Sequence, residues 1–275
     1  MIKKVFHLAD IHIPNSEEKV PFMQMLKRAL SEIAKEAAKY KREEIRIVIS
    51  GDIFCHKIRT SNEATHTFVT MLNYLDAIGK TIIIAGNHDM LMNNLDRLDS
   101  ISPLFAYKKA YDNVVYADKV LNYKSGIIED DNVIWAVFSS FEDFNPPILE
   151  NIKETHPDKT VIGLFHGDVV GSKTDIGRVS EVGLSLDTFK DCDCVMAGHI
   201  HRYQTLRKNG VPFVYAGSLF QKDIGENVSG HGYVLWDLED LSYEHKEITN
   251  DYATYVFNIE NYDDVKNDIE KVINL

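Results

Sequence analysis

The stretch that decides how this chain folds reads VMAGHIH and occupies residues 195–201. Its apolar part has the composition of a buried β-strand, and it ends abruptly in two histidines separated by one residue. Successive side chains of an extended segment point to opposite faces, so His199 and His201 can reach toward one point. Two converging imidazoles suggest a metal site, and this interpretation requires further ligands elsewhere in the chain.

Four other apolar runs also end in polar residues of the kinds that bind metals. KVFHLADIH ends in Asp10 and His12, IRIVISGD in Asp52, TIIIAGNHD in Asn87, His88 and Asp89, and VIGLFHGD carries His166. Open α/β sheets place their sites at the carboxyl ends of buried strands, where loops from separate strands converge. The five endings together therefore predict one shared site.

Amphipathic segments separate the first strands. Apolar residues step by three and four along residues 22–40 and again along residues 61–78, as on a helix packed against a sheet. Ser61 is a candidate N-cap of the second helix, and Gly79 is a candidate stop. Strand, helix, strand, helix, strand predicts a parallel sheet with right-handed connections.

The second half of the chain has shorter β-rich segments, among them NVVYA and NVIWAVFSS. Asn209 and Gly210 form a hairpin turn signal, and GYVLWDLEDLSYEHKEI reads as another hairpin. We therefore predict an α/β fold in which two sheets pack face to face as a β-sandwich flanked by helices. Residues 1–250 would form this domain, and residues 251–275 would begin a capping region or C-terminal extension.

Composition restricts the classes of function. Of the 275 residues, 44% are hydrophobic, and no apolar run approaches the roughly 20 residues of a membrane-spanning helix. Three cysteines cannot all pair, which indicates a reducing cytoplasm. The net charge of −12 argues against a protein that binds nucleic acid over its whole surface, because phosphate binding depends on lysine and arginine. Any contact with nucleic acid would be local, metal-assisted or shared with a more basic partner.

The candidate ligands supply oxygen and nitrogen atoms and no sulfur. Two cations about 3.5 to 4 Å apart, with one bridging carboxylate, are the arrangement of two-metal phosphoester hydrolysis, and Asp52 is the candidate bridge. Mixed carboxylate and imidazole ligands suit Mn²⁺, Fe²⁺ or Zn²⁺. We take Mn²⁺ as the first expectation and leave Fe²⁺ and Zn²⁺ open.

The ordered series DxH, GD, GNHD, H and GHxH resembles the calcineurin-like metallophosphoesterase superfamily, whose fold has four layers in the order α-β-β-α. Within it, GDIFCHKIRTS (residues 51–61) and YAGSLFQKDIGE (residues 215–226) resemble the SbcD-type nucleases of DNA repair and recombination, including phage members. The following GYVLWDL strengthens that likeness, which covers residues 1–250.

The resemblance implies a role for each candidate residue by position. It places Asp10, His12, Asp52 and His201 on one metal ion and Asp52, Asn87, His166 and His199 on the other. His88 is similar to the family's catalytic histidine, which contacts the phosphate and assists the departing oxygen, and Asp89 would orient it. A metal-bound hydroxide would be the nucleophile.

The implied function is a two-metal DNA nuclease, acting as an exonuclease on DNA ends or an endonuclease on single strands. An ATPase partner of the SbcC type, a homodimer and a location in the cytoplasm, or the host cytoplasm for a phage protein, follow from the same resemblance. SbcD-type sequences usually continue into a capping region and a helical segment that binds the ATPase, whereas this sequence ends at Leu275.

Candidate DNA contacts are the residues His56, Arg59, Arg178 and Arg202, which fall in loops near the motifs. Solvated surface is the alternative for each of them. Two other functions stay open: hydrolysis of a small phosphodiester or phosphomonoester, and a non-catalytic scaffold that keeps the fold. The scaffold is disfavoured because such proteins lose ligands, whereas every ligand type of the series is present here.

Overall fold

The computed structural model describes residues 1–16, 22–57, 59–105, 112–142, 146–174, 176–250, 252–256, 266 and 269–270. In chain order the strands found there are β1 (Lys4–Leu8), β2 (Ile45–Ser50), β3 (Lys80–Ile84), β4 (Val114–Tyr116), β5 (Gly126–Asp130), β6 (Val133–Phe138), β7 (Thr160–His166), β8 (Cys194–Gly198), β9 (Gln204–Lys208), β10 (Val211–Tyr215), β11 (Gly232–Asp237) and β12 (Ser242–Glu247). The α-helices found there are α1 (Phe22–Ala37), α2 (Asn62–Ile78), α3 (Ala117–Val120) and α4 (Ile152–Thr155). Short 3₁₀ helices cover Arg42–Glu44, Ser102–Phe105 and Leu186–Phe189.

The strands form two mixed sheets of six. The first has the order β12-β11-β1-β2-β3-β4, and the second has the order β5-β6-β7-β8-β10-β9. Strands β1 to β4 run parallel, and β11 joins β1 antiparallel. In the second sheet, β6, β7, β8 and β10 run parallel between antiparallel edges. This confirms the predicted two-sheet α/β architecture.

The two long helices follow their sequence signals closely. The Oγ of Ser61 accepts a hydrogen bond from the backbone N–H of Ala64 at 3.0 Å and so caps α2. Gly79 ends that helix, as predicted. Helix α1 ends at Ala37 rather than Tyr40, because the N–H of Tyr40 bonds the carbonyl of Ala37 in a tighter turn.

The space between the sheets is filled by large apolar side chains. Val5, Val48, Trp135, Leu164 and Trp236 all lie there without solvent exposure. Burying each such side chain contributes about 1.5 to 3 kcal/mol, so this layer is a major source of stability. It also presses the two sheets together, which brings their carboxyl-terminal edges side by side.

The outer faces of the sheets are covered differently. Helices α1 and α2 pack on the first sheet through Leu26, Leu30, Phe68 and Leu72, all of which are buried. The second sheet is covered by Phe189 of a 3₁₀ helix, by the short helix α4 and by loops. The predicted fourth layer is therefore present as short helical turns.

The predicted extension at residues 251–275 lies largely outside the described residues, and the proposed domain boundary stays a prediction. Among the described helices, none combines the length and apolar character needed to cross a bilayer.

Candidate metal centre

The candidate metal centre lies where five strands from both sheets end. Loops after β1, β2 and β3 come from the first sheet, and the end of β7 and the loop after β8 come from the second. The N–H of Asp10 bonds the carbonyl of Gly51 at 3.1 Å, which holds the first two loops together. The ring Nδ1 of His166 donates to the carbonyl of Ser50 at 2.7 Å and joins the two sheets. The sandwich therefore fixes the loops relative to each other.

One group of candidate ligands contains Asp10, His12 and His201, whose ligand atoms lie within 4.8 Å of one another. The Nε2 atoms of His12 and His201 are 2.9 Å apart. The carboxylate of Asp10 also accepts the N–H of His199 at 3.0 and 3.1 Å. These contacts hold three donors around one small volume.

A second group contains Asp52, His166 and His199, again with ligand atoms within 4.8 Å of one another. The side-chain oxygen of Asn87 lies 3.1 Å from Nε2 of His166 and 2.9 Å from Nδ1 of His199. Asn87 thus lies with this second group.

The carboxylate of Asp52 lies between the two groups. Its Oδ2 is 3.6 Å from Nε2 of His12, and its Oδ1 is 3.3 Å from Nε2 of His166. Each oxygen faces a different group, which is the placement that a bridging ligand requires. The structure therefore brings all seven predicted ligands into two adjoining groups.

Several of these residues occupy unusual backbone conformations. Asp10, His12 and Asp52 have φ values of 50°, 49° and 52°, and His199 has a φ of 102°. Non-glycine residues in such regions cost about 1 to 3 kcal/mol each and persist where the surrounding structure holds them. The sharp turns direct side chains of successive loops back over the ends of the strands.

The electrostatics of the site fit divalent cations. Asp10 and Asp52 are buried carboxylates, and burial raises the pKa of Asp10. Burial by itself lowers the pKa of His166, but the neighbouring carboxylates of Asp52 and Asp10 outweigh this effect and raise that pKa to about 9. Among the described residues, no lysine or arginine forms an ion pair with either carboxylate. A protonated His166 balances these carboxylates, and a divalent cation would displace that proton, because an imidazole ligand is neutral.

His12 supports the same assignment. Burial lowers the pKa of His12 to about 2, so its ring is neutral and can act as a ligand. Its Nδ1 has no hydrogen-bond partner among the described residues, while its Nε2 faces His201 and Asp52. The ring is therefore aimed into the site through Nε2.

The predicted catalytic pair is arranged differently from expectation. The ring Nδ1 of His88 donates to the carbonyl of Cys55 at 2.9 Å. The carboxylate of Asp89 is fully buried and accepts the backbone N–H groups of Ile53, Phe54 and Gly86. The predicted orienting contact between Asp89 and His88 is thus replaced by the Cys55 carbonyl, and Asp89 instead holds the two ligand-bearing loops together.

The four candidate DNA contacts, His56, Arg59, Arg178 and Arg202, are all exposed. The carbonyl of Arg59 accepts a hydrogen bond from Asn15 at 2.8 Å, which ties the loop after β2 to the loop after β1. Arg202 lines a small cavity together with His201. Their roles in binding DNA stay predictions.

Comparison with known families decides where this chain belongs. Residues 3–203 match the model of the calcineurin-like phosphoesterases, and this span includes all seven candidate ligands, His88 and Asp89. The chain belongs to the calcineurin-like phosphoesterase family. Members of this family are metal-dependent hydrolases of phosphate esters, and the predicted superfamily is thereby confirmed.

Individual relatives show how far the likeness extends. Protein R555 of Acanthamoeba polyphaga mimivirus, which is uncharacterized, is 33% identical over 259 residues, covering 92% of this chain and 18% of that protein. A Staphylococcus aureus structure assigned as a 5′-nucleotidase, in complex with alpha-ketoglutarate, shows 14% identity over 98% of this chain and 58% of that one, with a TM-score of 0.46. Hypothetical protein PH1004 of Pyrococcus horikoshii shows 13% identity over 98% of this chain and 94% of that one, with a TM-score of 0.45.

Sequence reasoning missed two acidic residues that orient ligands. Glu226 accepts a hydrogen bond from Nδ1 of His201 at 2.7 Å, and Asp168 lies 3.3 Å from Nε2 of His199. A carboxylate behind a histidine ligand fixes its tautomer and orientation. Two signals were available in the sequence. Glu226 ends the motif YAGSLFQKDIGE, and Asp168 lies two residues after His166.

Proposed function

We propose that this phosphoesterase is a DNA nuclease of the SbcD type that uses two divalent cations, first of all Mn²⁺. It would hydrolyse phosphodiester bonds at DNA ends or within single strands. The observation that carries the proposal is that both motifs behind the SbcD resemblance contact the candidate metal centre. Cys55, in GDIFCHKIRTS, accepts the hydrogen bond from His88, and Glu226, in YAGSLFQKDIGE, accepts the one from His201.

In this proposal each of the two ligand groups holds one cation. The first would be held by Asp10, His12 and His201 and the second by Asn87, His166 and His199, with Asp52 between them. When bound, the cations would supply activation of water and neutralisation of the charge that develops on the phosphate. The protein's own contribution is to hold these donors in place before the substrate arrives.

In this proposal His88 assists the leaving group. Its Nδ1 is committed to the Cys55 carbonyl, which leaves Nε2 as the ring atom that can bond a phosphate oxygen. Because Nδ1 already carries a proton in that bond, Nε2 carries one only in the imidazolium form of His88, and that proton can pass to the departing oxygen. The backbone N–H of His88 donates to Oδ1 of Asp52 at 2.7 Å. This hydrogen bond fixes the position of the catalytic candidate relative to the bridging candidate.

The proposal includes an ATPase partner of the SbcC type and a homodimer. An acidic protein binds long stretches of DNA phosphates weakly. The net charge of −12 therefore favours DNA binding that is shared with a more basic partner. The exposed Arg59, Arg178 and Arg202 would then contribute local contacts to the DNA backbone.

A small phosphodiester is the second candidate substrate. A cavity beside the second ligand group is lined by no lysine or arginine among the described residues, which favours a ligand with a single phosphate. The net charge of −12 also favours a substrate with few phosphates over a long DNA strand.

The test compares three substrates with purified protein and Mn²⁺: linear duplex DNA, single-stranded DNA and methyl p-nitrophenyl phosphate. The variants are His88→Ala and His66→Ala, since His66 is an exposed histidine of α2. We expect DNA cleavage to fall by about 100-fold or more in His88→Ala and to stay unchanged in His66→Ala. Turnover of the small ester alone would replace the nuclease by the second candidate. Equal cleavage by His88→Ala would remove His88 from the mechanism.

A further inference from the structure

A cavity of about 350 Å³ opens directly beside the second ligand group. Asn87, His166 and His199 form part of its wall, so it is continuous with the candidate metal centre. A substrate whose phosphate lies against these residues would extend another part of itself into this space. The chemistry of the remaining wall indicates what that part is.

The charges around the cavity exclude a second phosphate. Among the described residues that line it there is no lysine or arginine, whereas Glu142 and Asp168 contribute carboxylates. Binding of phosphate depends on cations or on several aligned N–H donors, and carboxylates repel it. The group that enters the cavity is therefore not an anion, and an uncharged group fits the wall.

The wall is also strongly apolar. Phe138, Phe165 and Leu184 line it, and Met92 and Leu95 lie at it with 51% and 40% of their surface exposed. Exposed apolar side chains grouped at a cavity mark a place where an apolar ligand packs. Aromatic rings, a thioether and aliphatic side chains together suit the face of a flat heterocycle.

Three serine hydroxyls at the cavity already take part in hydrogen bonds within the protein, which reduces what they offer to a sugar. The Oγ of Ser139 donates to Asp118 at 2.7 Å, and the Oγ of Ser140 donates to the carbonyl of His166 at 3.2 Å. The Oγ of Ser125 accepts the N–H of Ser139 at 3.1 Å. The cavity thus offers mainly apolar packing, with the hydroxyls of Ser125 and Thr188 as its further polar groups.

We propose that this cavity is a subsite for the nucleobase of the nucleotide whose phosphate is hydrolysed. The assignment rests on the proposed phosphodiesterase function. The base packs against Met92, Leu95 and Leu184 while its phosphate faces the second ligand group. The subsite selects nucleotides over simple alkyl phosphates by burying the base, and it serves a DNA strand end or a small nucleotide ester equally.

The test uses two esters with the same leaving group, thymidine 5′-(p-nitrophenyl) phosphate and methyl p-nitrophenyl phosphate, with the full chain and Mn²⁺. Leu95→Ser removes one apolar wall. Leu98→Ser is the matched control, because Leu98 lies in the same loop, is 65% exposed and does not line the cavity. We expect the preference in kcat/KM for the thymidine ester to fall about ten-fold in Leu95→Ser and to be retained in Leu98→Ser. An unchanged preference in Leu95→Ser overturns the subsite.

A second measurement separates the subsite from the proposed function. Calorimetry gives the affinity of each protein for thymidine 5′-monophosphate without turnover. If the wild-type protein hydrolyses neither ester, the proposed function fails, and the subsite is then judged by binding alone. It stands if Leu95→Ser binds the nucleotide more weakly than Leu98→Ser, and it falls if the two bind equally or if the wild-type protein does not bind.

Discussion

Replacing Gly86 by alanine perturbs the candidate metal centre without removing any ligand. A Cβ added at Gly86 would lie 2.2 Å from Oδ1 of Asp52, 2.4 Å from the backbone N of Asp52 and 2.6 Å from Cε1 of His166. Ordinary contacts of a Cβ begin at 3.4 Å, so the neighbours must move by roughly 1 Å. The residues that must move are the candidate bridge and a ligand of the second group.

Displacement of this size is expected to disable the site. A misplacement of about 1 Å costs on the order of 100-fold in rate, and disturbed ligand orientation costs about 10- to 100-fold in metal affinity. Overpacking should also lower the free energy of unfolding by about 1 to 3 kcal/mol, which most domains tolerate. Gly86→Ala should therefore remain folded while it binds and hydrolyses poorly.

The assay is calorimetric titration with Mn²⁺, followed by hydrolysis of methyl p-nitrophenyl phosphate and a thermal melt. Gly225→Ala is the matched control, because a Cβ at Gly225 meets nothing within 4 Å and the backbone there needs no glycine conformation. The reasoning is refuted if Gly86→Ala binds Mn²⁺ within three-fold of Gly225→Ala and retains its rate. Loss of affinity without loss of folding is the result that the close packing requires.

Three further predictions concern other parts of the molecule. Glu226→Gln should weaken Mn²⁺ binding by about 10- to 100-fold, because it alters the hydrogen-bond partner of His201 and disturbs a carboxylate that also accepts the backbone N–H groups of Lys222 and Asp223; equal affinity in titration calorimetry would contradict this. Arg46→Leu should lower the free energy of unfolding by about 1.5 to 3 kcal/mol in urea titrations, because Arg46 holds the buried carboxylate of Asp130 through two hydrogen bonds of 2.7 and 3.0 Å, while Lys80 remains as its second ion-pair partner; a change below 1 kcal/mol would refute it. Burial raises the pKa of Asp118 from 3.8 to about 6, so its protonation favours the folded state below that pH and the contribution is lost as pH rises through about 6. Between pH 7 and pH 5 the wild-type protein should therefore gain about 1 kcal/mol more stability than Asp118→Asn, and identical pH slopes in urea titrations would be evidence against the shift.

Much of the fold could be predicted because its signals are local. The Ser61 cap, the Gly79 stop and the Asn209–Gly210 turn each act through neighbouring residues, and the structure has α2 and the β9–β10 hairpin where these signals placed them. The composition of the outer layer on the second sheet was harder to predict. Short turns and loops such as those around Phe189 have no periodic pattern that identifies the surface they cover.

The ligand types and their order were determined by the sequence alone, because each follows a buried strand and strands of this kind end at a common edge. Only the tertiary structure decided how those residues meet. The placement of Asp52 between two groups, the carboxylates of Glu226 and Asp168 behind two histidines, and the Cys55 carbonyl at His88 all join residues far apart in the chain. Such contacts depend on how loops from several strands meet, within one sheet and across the two, and that arrangement arises from the summed burial of many side chains rather than from any one motif.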